Sequence, residues 1–185
     1  MSATEKPVDP DAEELAKELS AGVLESLSMM VDKDITLSSQ TVSASPGPPT
    51  GKDNVHIAFR FKAISPLGER FVCLLLPLDA AVSGACSVLM MPLDQVPGIC
   101  SSGFLEPAIK EALLEIGNML SSVFAQRLSE PGSKCSVSFH GCQGLRADRM
   151  AWVPLNNPEG WIHLEGEGVW EDVGKFRFGL GHAAA

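Results

Sequence analysis

The residues best suited to chemistry lie together in the run Glu115-Ile116-Gly117-Asn118-Met119. At roughly 100° per residue on a helical wheel, Glu111, Asn118, Ser122 and Gln126 fall within about 60° of Glu115. The roughly opposite side collects Ile109, Leu113, Ile116, Leu120, Phe124 and Leu128. An acceptor-only carboxylate and a carboxamide that both accepts and donates therefore share one polar stripe. Periodicity alone would leave that stripe an ordinary solvated face. Two residues argue for more. Asn is a poor helix former, because its amide competes for backbone groups. Gly117 costs about 1 kcal/mol relative to Ala in an exposed helix interior. Gly117 falls toward the core side, so close packing against the sheet or the first helix can offset its cost. Asn118 has no such structural reason.

Other candidate constellations are weaker. His140 and Cys142 form an isolated H-x-C, which could supply two metal ligands but has no further pair nearby in sequence. The five cysteines, Cys73, Cys86, Cys100, Cys135 and Cys142, include no C-x-x-C pair and read as reduced, buried small hydrophobes. Trp152, Trp161 and Trp170 fit core or sheet packing better than a ligand surface, and Arg146, Asp148 and Arg149 fit a solvated turn. The sequence contains no G-x-S-x-G, no H-E-x-x-H and no phosphate-binding glycine loop.

The elements that must position the stripe are legible around it. Asp9 followed by Pro10 starts a helix, with Asp11, Glu13 and Glu14 suiting its positive end. Leu15, Leu19, Val23, Leu27 and Met30 carry it to about Val31. Ile35 to Ser43 alternates weakly as a strand, and the Pro-rich run 45–51 is a loop. Val55 to Lys62 alternates cleanly, Ser65-Pro66-Leu67-Gly68 is a turn, and Arg70 to Leu76 completes a β-hairpin. Asp79 is expected to cap a short helix from about Ala80 to Met91, with a loop at 92–98. The long helix runs from about Leu105 to Leu128 and stops at Glu130-Pro131-Gly132-Ser133. Strands follow at Cys135–Phe139, Met150–Leu155 and Val173–Phe178, with a short one at Trp161–Leu164. This order predicts an α+β domain: a mostly antiparallel sheet with two long helices and one short helix packed on one face.

Composition bounds the partners. With 185 residues, 45% hydrophobic and 20% charged, the chain suits one globular domain. A net charge of −9 offers no basic face for nucleic acid. The opening residues lack the apolar core of a signal peptide. The most apolar stretch, Phe71 to Met91, is broken by Pro77, Asp79 and Gly84 and is no membrane span. A cytoplasmic location is the expectation.

The Glu115-Ile116-Gly117-Asn118-Met119 run, followed by Ser121 and Ser122, resembles the E-x-G-N-M signature of the CheX/CheC chemotaxis phosphatases. The order of elements is also similar to CheX: leading helix, hairpin, short helix ending in Met-Met, signature helix, closing strands. One signature is present, as in CheX, where CheC has two. The resemblance implies a CheC-like fold, with residues 1–9 a flexible terminus, 10–181 a single CheX-like domain and 182–185 a loose end. It implies hydrolysis of the aspartyl phosphate of a CheY-type response regulator in two-component signalling, with Asn118 positioning an in-line water and Glu115 pairing with a regulator lysine. Glu111 and Ser122 would contact the partner. No cofactor of its own is implied; Mg²⁺ is expected on the regulator. A homodimer through exposed strand edges near the C-terminal strands is expected as well. Where family members usually carry Ser or Asp, this chain has Glu111, a longer acid beside the partner's phosphate. The alternative is a CheX-like docking module that binds a regulator without hydrolysing it.

Overall fold

Asp9 and Pro10 do what their types dictate. The Asp9 carboxylate accepts the Asp11 N–H at 3.1 Å, and Pro10 opens α1 (Pro10–Val31). The helix stops at Asp32, which turns left-handed at φ 52° and donates its N–H to the Ser28 carbonyl. The computed structural model describes residues 8–43, 55–66, 68–129, 134–146 and 161–184. After α1 come β1 (Ile35–Ser43), β2 (Val55–Ser65), β3 (Gly68–Pro77), α2 (Leu78–Val88), a single 3₁₀ turn (Leu93–Gln95) and α3 (Val96–Ser101). Then follow α4 (Pro107–Arg127), β4 (Ser136–Arg146), β5 (Trp161–Trp170) and β6 (Gly174–Ala184).

The described strands form one six-stranded sheet in the order β1-β5-β6-β3-β2-β4, antiparallel at every pairing. The alternation in β2 turns Ile57, Phe59 and Phe61 to the helices, where they meet Val72, Leu74 and Leu76 of β3 and the apolar faces of α1, α2 and α4. Phe59, Leu74, Leu120, Phe124, Phe178 and Leu180 are fully withdrawn from water. Each such side chain contributes about 1.5–3 kcal/mol through burial, so this layer dominates stability. A smaller cluster, Ala58, Cys73, Leu75 and Ala183, lies on the other face.

Asp79 is not the cap: α2 starts at Leu78 with Pro77 before it, and Asp79 accepts only the neighbouring Ala80 N–H, at 2.8 Å. The helix ends at Val88, short of Met91, and Met90 takes a left-handed φ of 55°. The expected loop at 92–98 holds the 3₁₀ turn and the start of α3, because Pro97 occupies a first-turn position where its missing N–H costs nothing. β5 runs through Trp170, well past Leu164. Its Gly166 and Gly168, poor strand formers, are covered by the rings of Phe178 and Phe176. β6 continues to Ala184, so the tail expected to be loose at 182–185 is strand as far as Ala184, with His182 paired to Val72 and Ile162. β4 is twice the expected length. It passes through a bulge at Gly141, where φ is 88°. The Pro-rich run 45–51, the strand expected at Met150–Leu155, and Trp152, Asp148 and Arg149 lie outside the described residues. Trp170 packs in the core, and of the cysteines only Cys73 and Cys86 are buried, the others being half-buried.

Candidate functional site

The candidate site is the outer face of α4, and the chain holds that helix in several ways. Glu106 precedes it in an extended conformation, Pro107 opens it, and the Glu106 carbonyl accepts the Lys110 N–H at 3.1 Å. Ile109, Leu113, Ile116, Leu120 and Phe124 bury its inner face. At its end Arg127 pairs with Glu25 of α1 at 3.2 Å, and a Cβ on Gly22 of α1 would come within 2.9 Å of Val123. α1 and α4 therefore touch backbone to side chain.

Glu111, Glu115, Asn118, Ser122 and Gln126 are all exposed, along the stripe the spacing predicts. The structure thus brings the four sequence-selected residues, Glu111, Glu115, Asn118 and Ser122, onto one solvent-facing surface. Among the described residues, Glu111, Glu115 and Asn118 have no side-chain hydrogen bond or ion pair. The two cations of α4 are engaged elsewhere: Lys110 lies 4.7 Å over the Phe104 ring, and Arg127 is held by Glu25. Glu115 is therefore a carboxylate without a cation of its own. Ser122 differs, since its hydroxyl donates to the Met119 carbonyl at 2.6 Å and offers an approaching group only acceptor capacity.

Two apolar residues flank the stripe and were given no role by sequence reasoning. Leu114 and Met119 are 42% and 44% exposed. From the helical repeat they stand about 100° to one side of Glu115 and about 40° to the other. The signal was available, because both fall outside the inner arc of the wheel.

The H-x-C reading fails on geometry. The bulge inserts an extra residue between His140 and Cys142, so Cys142 lies opposite Phe59 and packs toward the helices. His140 sits within 3.1 Å of Ser138 Oγ, on the other side of the strand. Two ligands on opposite faces of a sheet cannot share one ion. Among the described residues no group of three or more His, Cys, Asp or Glu is placed to hold a metal. None of the described helices is long and apolar enough to cross a membrane.

No family model matches the sequence, and no curated protein matches it. Solved structures do. FliY from Thermotoga maritima superposes with a TM-score of 0.69 at 19% identity, covering 97% of this chain and 93% of its own. The middle domain of FliM from H. pylori gives 0.58 at 10% identity, over 95% of this chain and 94% of that one. CheX from Borrelia burgdorferi, in a complex with CheY, BeF3 and Mg²⁺, gives 0.54 at 10% identity, over 91% and 97%. These matches span nearly the whole of each chain. The protein has the CheC-like α+β fold that CheX, FliY and the FliM middle domain share.

Proposed function

We propose that this chain hydrolyses the aspartyl phosphate of a CheY-type response regulator, using Glu115 to dock and Asn118 to place the attacking water. The observation that carries this reading is the exposed, unpartnered Glu115/Asn118 pair on a helix held in place by α1 and the sheet. The chemistry required is modest. An acyl phosphate is already reactive, and Mg²⁺ held by the regulator shields the phosphoryl oxygens. A water placed in line attacks phosphorus, the P–O bond to the aspartyl carboxylate breaks, and inorganic phosphate leaves. The phosphatase adds position. The Asn118 Oδ1 accepts a hydrogen bond from the water, and its Nδ2 donates to a neighbouring oxygen; no general base is needed. Glu115, one turn earlier, pairs with a lysine of the regulator and sets the docking register. The CheX complex with CheY supports this choice of partner.

A second reading is a docking module that binds a regulator without hydrolysing it. The likeness to the FliM middle domain favours it, as does Glu111, whose long carboxylate stands one turn before Glu115 and adds negative charge where a phosphate would approach. The two readings separate in one experiment. A panel of phosphorylated regulators is mixed with the protein, and both binding and decay of the aspartyl phosphate are followed. Binding with accelerated decay supports the phosphatase; binding with unchanged decay on every regulator supports the module.

We propose a homodimer as well, through edges other than the C-terminal strands expected from the sequence, because β5 and β6 lie inside the sheet. Among the described strands β1 and β4 are the two edges of the sheet, and β1 carries no charged residue along its nine positions. Pairing of such edges between two copies would cover them. Sedimentation that returns only monomer at high concentration would contradict it.

A further inference from the structure

We infer that Phe139 is a positioning residue for the Glu115–Asn118 turn, its ring forming the seat on which Gly117 rests; the inference depends on the roles given to Glu115 and Asn118 above. Gly117 is buried between them in sequence. A Cβ built there would lie 2.2 Å from Cζ of Phe139 and 2.5 Å from each of its Cε atoms. Real Cβ atoms essentially never come within 3.0 Å of a neighbour. The far end of the ring therefore occupies the space that a side chain would need, and α4 lies closer to β4 here than any other residue type would allow.

The half-buried ring is backed by its neighbours. It packs against Phe61 with centroids 5.3 Å apart and against Phe59 at 6.3 Å. Phe61 in turn meets Phe124, two turns further along α4, at 4.7 Å. The helix is thus fixed to the sheet at two points on one aromatic cluster, Gly117 on Phe139 and Phe124 on Phe61. The β4 bulge completes the arrangement: the His140-Gly141 step leaves Phe139 directly opposite Phe61 and so turned toward the helix. Because an α-helix moves as a rigid rod over a few residues, lifting Gly117 lifts Glu115 and Asn118 with it. A displacement of about 1 Å can cost on the order of a hundredfold in rate when the task is placing a water in line. The glycine thus costs helix propensity and in return sets the height of the working turn.

The three atoms that a Gly117 Cβ would strike are Cε1, Cε2 and Cζ, and leucine has none of them. The test therefore uses Gly117→Ala, Phe139→Leu and the double variant, with circular dichroism reporting the fold. Gly117→Ala is expected to lower kcat for regulator dephosphorylation by about tenfold or more, with KM for the regulator changed by less than about threefold. Phe139→Leu alone loses the seat and falls in the same way. The double variant, whose new methyl fills the space the ring vacated, is expected to exceed both single variants. Equal or lower activity in the double variant than in Phe139→Leu overturns the inference, and that comparison stands even if Gly117→Ala does not fold. If the wild type hydrolyses no regulator, the phosphatase reading fails separately. The seat is then read from hydrogen exchange of the 115–118 amides, faster in each folded single variant and restored in the double. Exchange unchanged in Phe139→Leu would overturn it.

Discussion

Glu115 and Asn118 stand one turn apart on the same exposed side of α4, and neither side chain is bonded to another described residue. On the proposed docking face, a free carboxylate would act through charge. Glu115→Lys is expected to weaken binding of the phosphorylated regulator by at least about tenfold, and to reduce the sensitivity of binding to salt. Titrations at two ionic strengths check this. Unchanged affinity at both would remove Glu115 from the interface.

Glu111 sets a second test. Its carboxylate projects from the same stripe one turn before Glu115, so on the proposed docking mode shortening it would relieve repulsion of the partner's phosphate without touching the core. Glu111→Ser is expected to raise the dephosphorylation rate severalfold, with a melting temperature within a degree or two of wild type. A fall in rate would show that the longer acid makes a productive contact.

The glycines of the sheet give a stability contrast. A Cβ on Gly166 would meet Phe178 Cζ at 2.3 Å, whereas one on Gly144 would find only Ile57 Cδ1, at an ordinary 3.9 Å. Gly166→Ala forces a fully buried ring aside and is expected to cost about 1–3 kcal/mol. Gly144→Ala is expected to stay within about 0.5 kcal/mol of wild type. Urea denaturation of both variants decides the point, and equal midpoints would contradict it.

Acid sensitivity follows from two buried histidines. Burial pushes both His163 and His182 down to about 4 from the usual 6.5; the neighbouring His182 adds to the effect on His163. On His182 the Ala12 carbonyl, 3.2 Å from Nε2, works in the opposite direction, and Arg70 adds to the lowering. Between those two values the unfolded chain binds more protons than the folded one. Stability is thus complete above about pH 6.5 and declines as pH falls toward about 4, by up to about 1.4 kcal/mol per pH unit for each histidine. Urea midpoints measured from pH 7.5 to 4.5 should show the decline, and His182→Gln should remove roughly half of it, leaving the part due to His163. A midpoint independent of pH over that range would contradict the burial of these rings as neutral groups.

The helices and the hairpin were legible because their signals are local. Asp9-Pro10 marks a helix start without help from the rest of the chain, and the alternation from Val55 to Lys62 puts Ile57, Phe59 and Phe61 on one face of β2, although His56 and Ala58 on the other face are buried too. The polar stripe of α4 was legible for the same reason, and the oddity of Gly117 beside Asn118 pointed to that turn. The misreadings are tertiary. Gly166 and Gly168 argue against a strand until the Phe178 and Phe176 rings are laid over them, and Pro97 reads as a loop until it is seen in the first turn of α3. The bulge at Gly141 is invisible to a period-two count, yet it separates His140 from Cys142 and turns Phe139 toward α4. Phe139 itself carried no signal, since its role exists only where β4 passes beneath Gly117.

We propose above that Asn118 places the hydrolytic water. The most direct test of this role is decay of the aspartyl phosphate on one tightly bound regulator, at saturating wild-type protein and at saturating Asn118→Ala. Asn118 is exposed, so the variant should fold and bind as the wild type does. The expected result is acceleration by the wild type and, with the variant, loss of that acceleration by at least about a hundredfold or to the regulator's own rate. Decay at the wild-type rate with Asn118→Ala bound would contradict the claim.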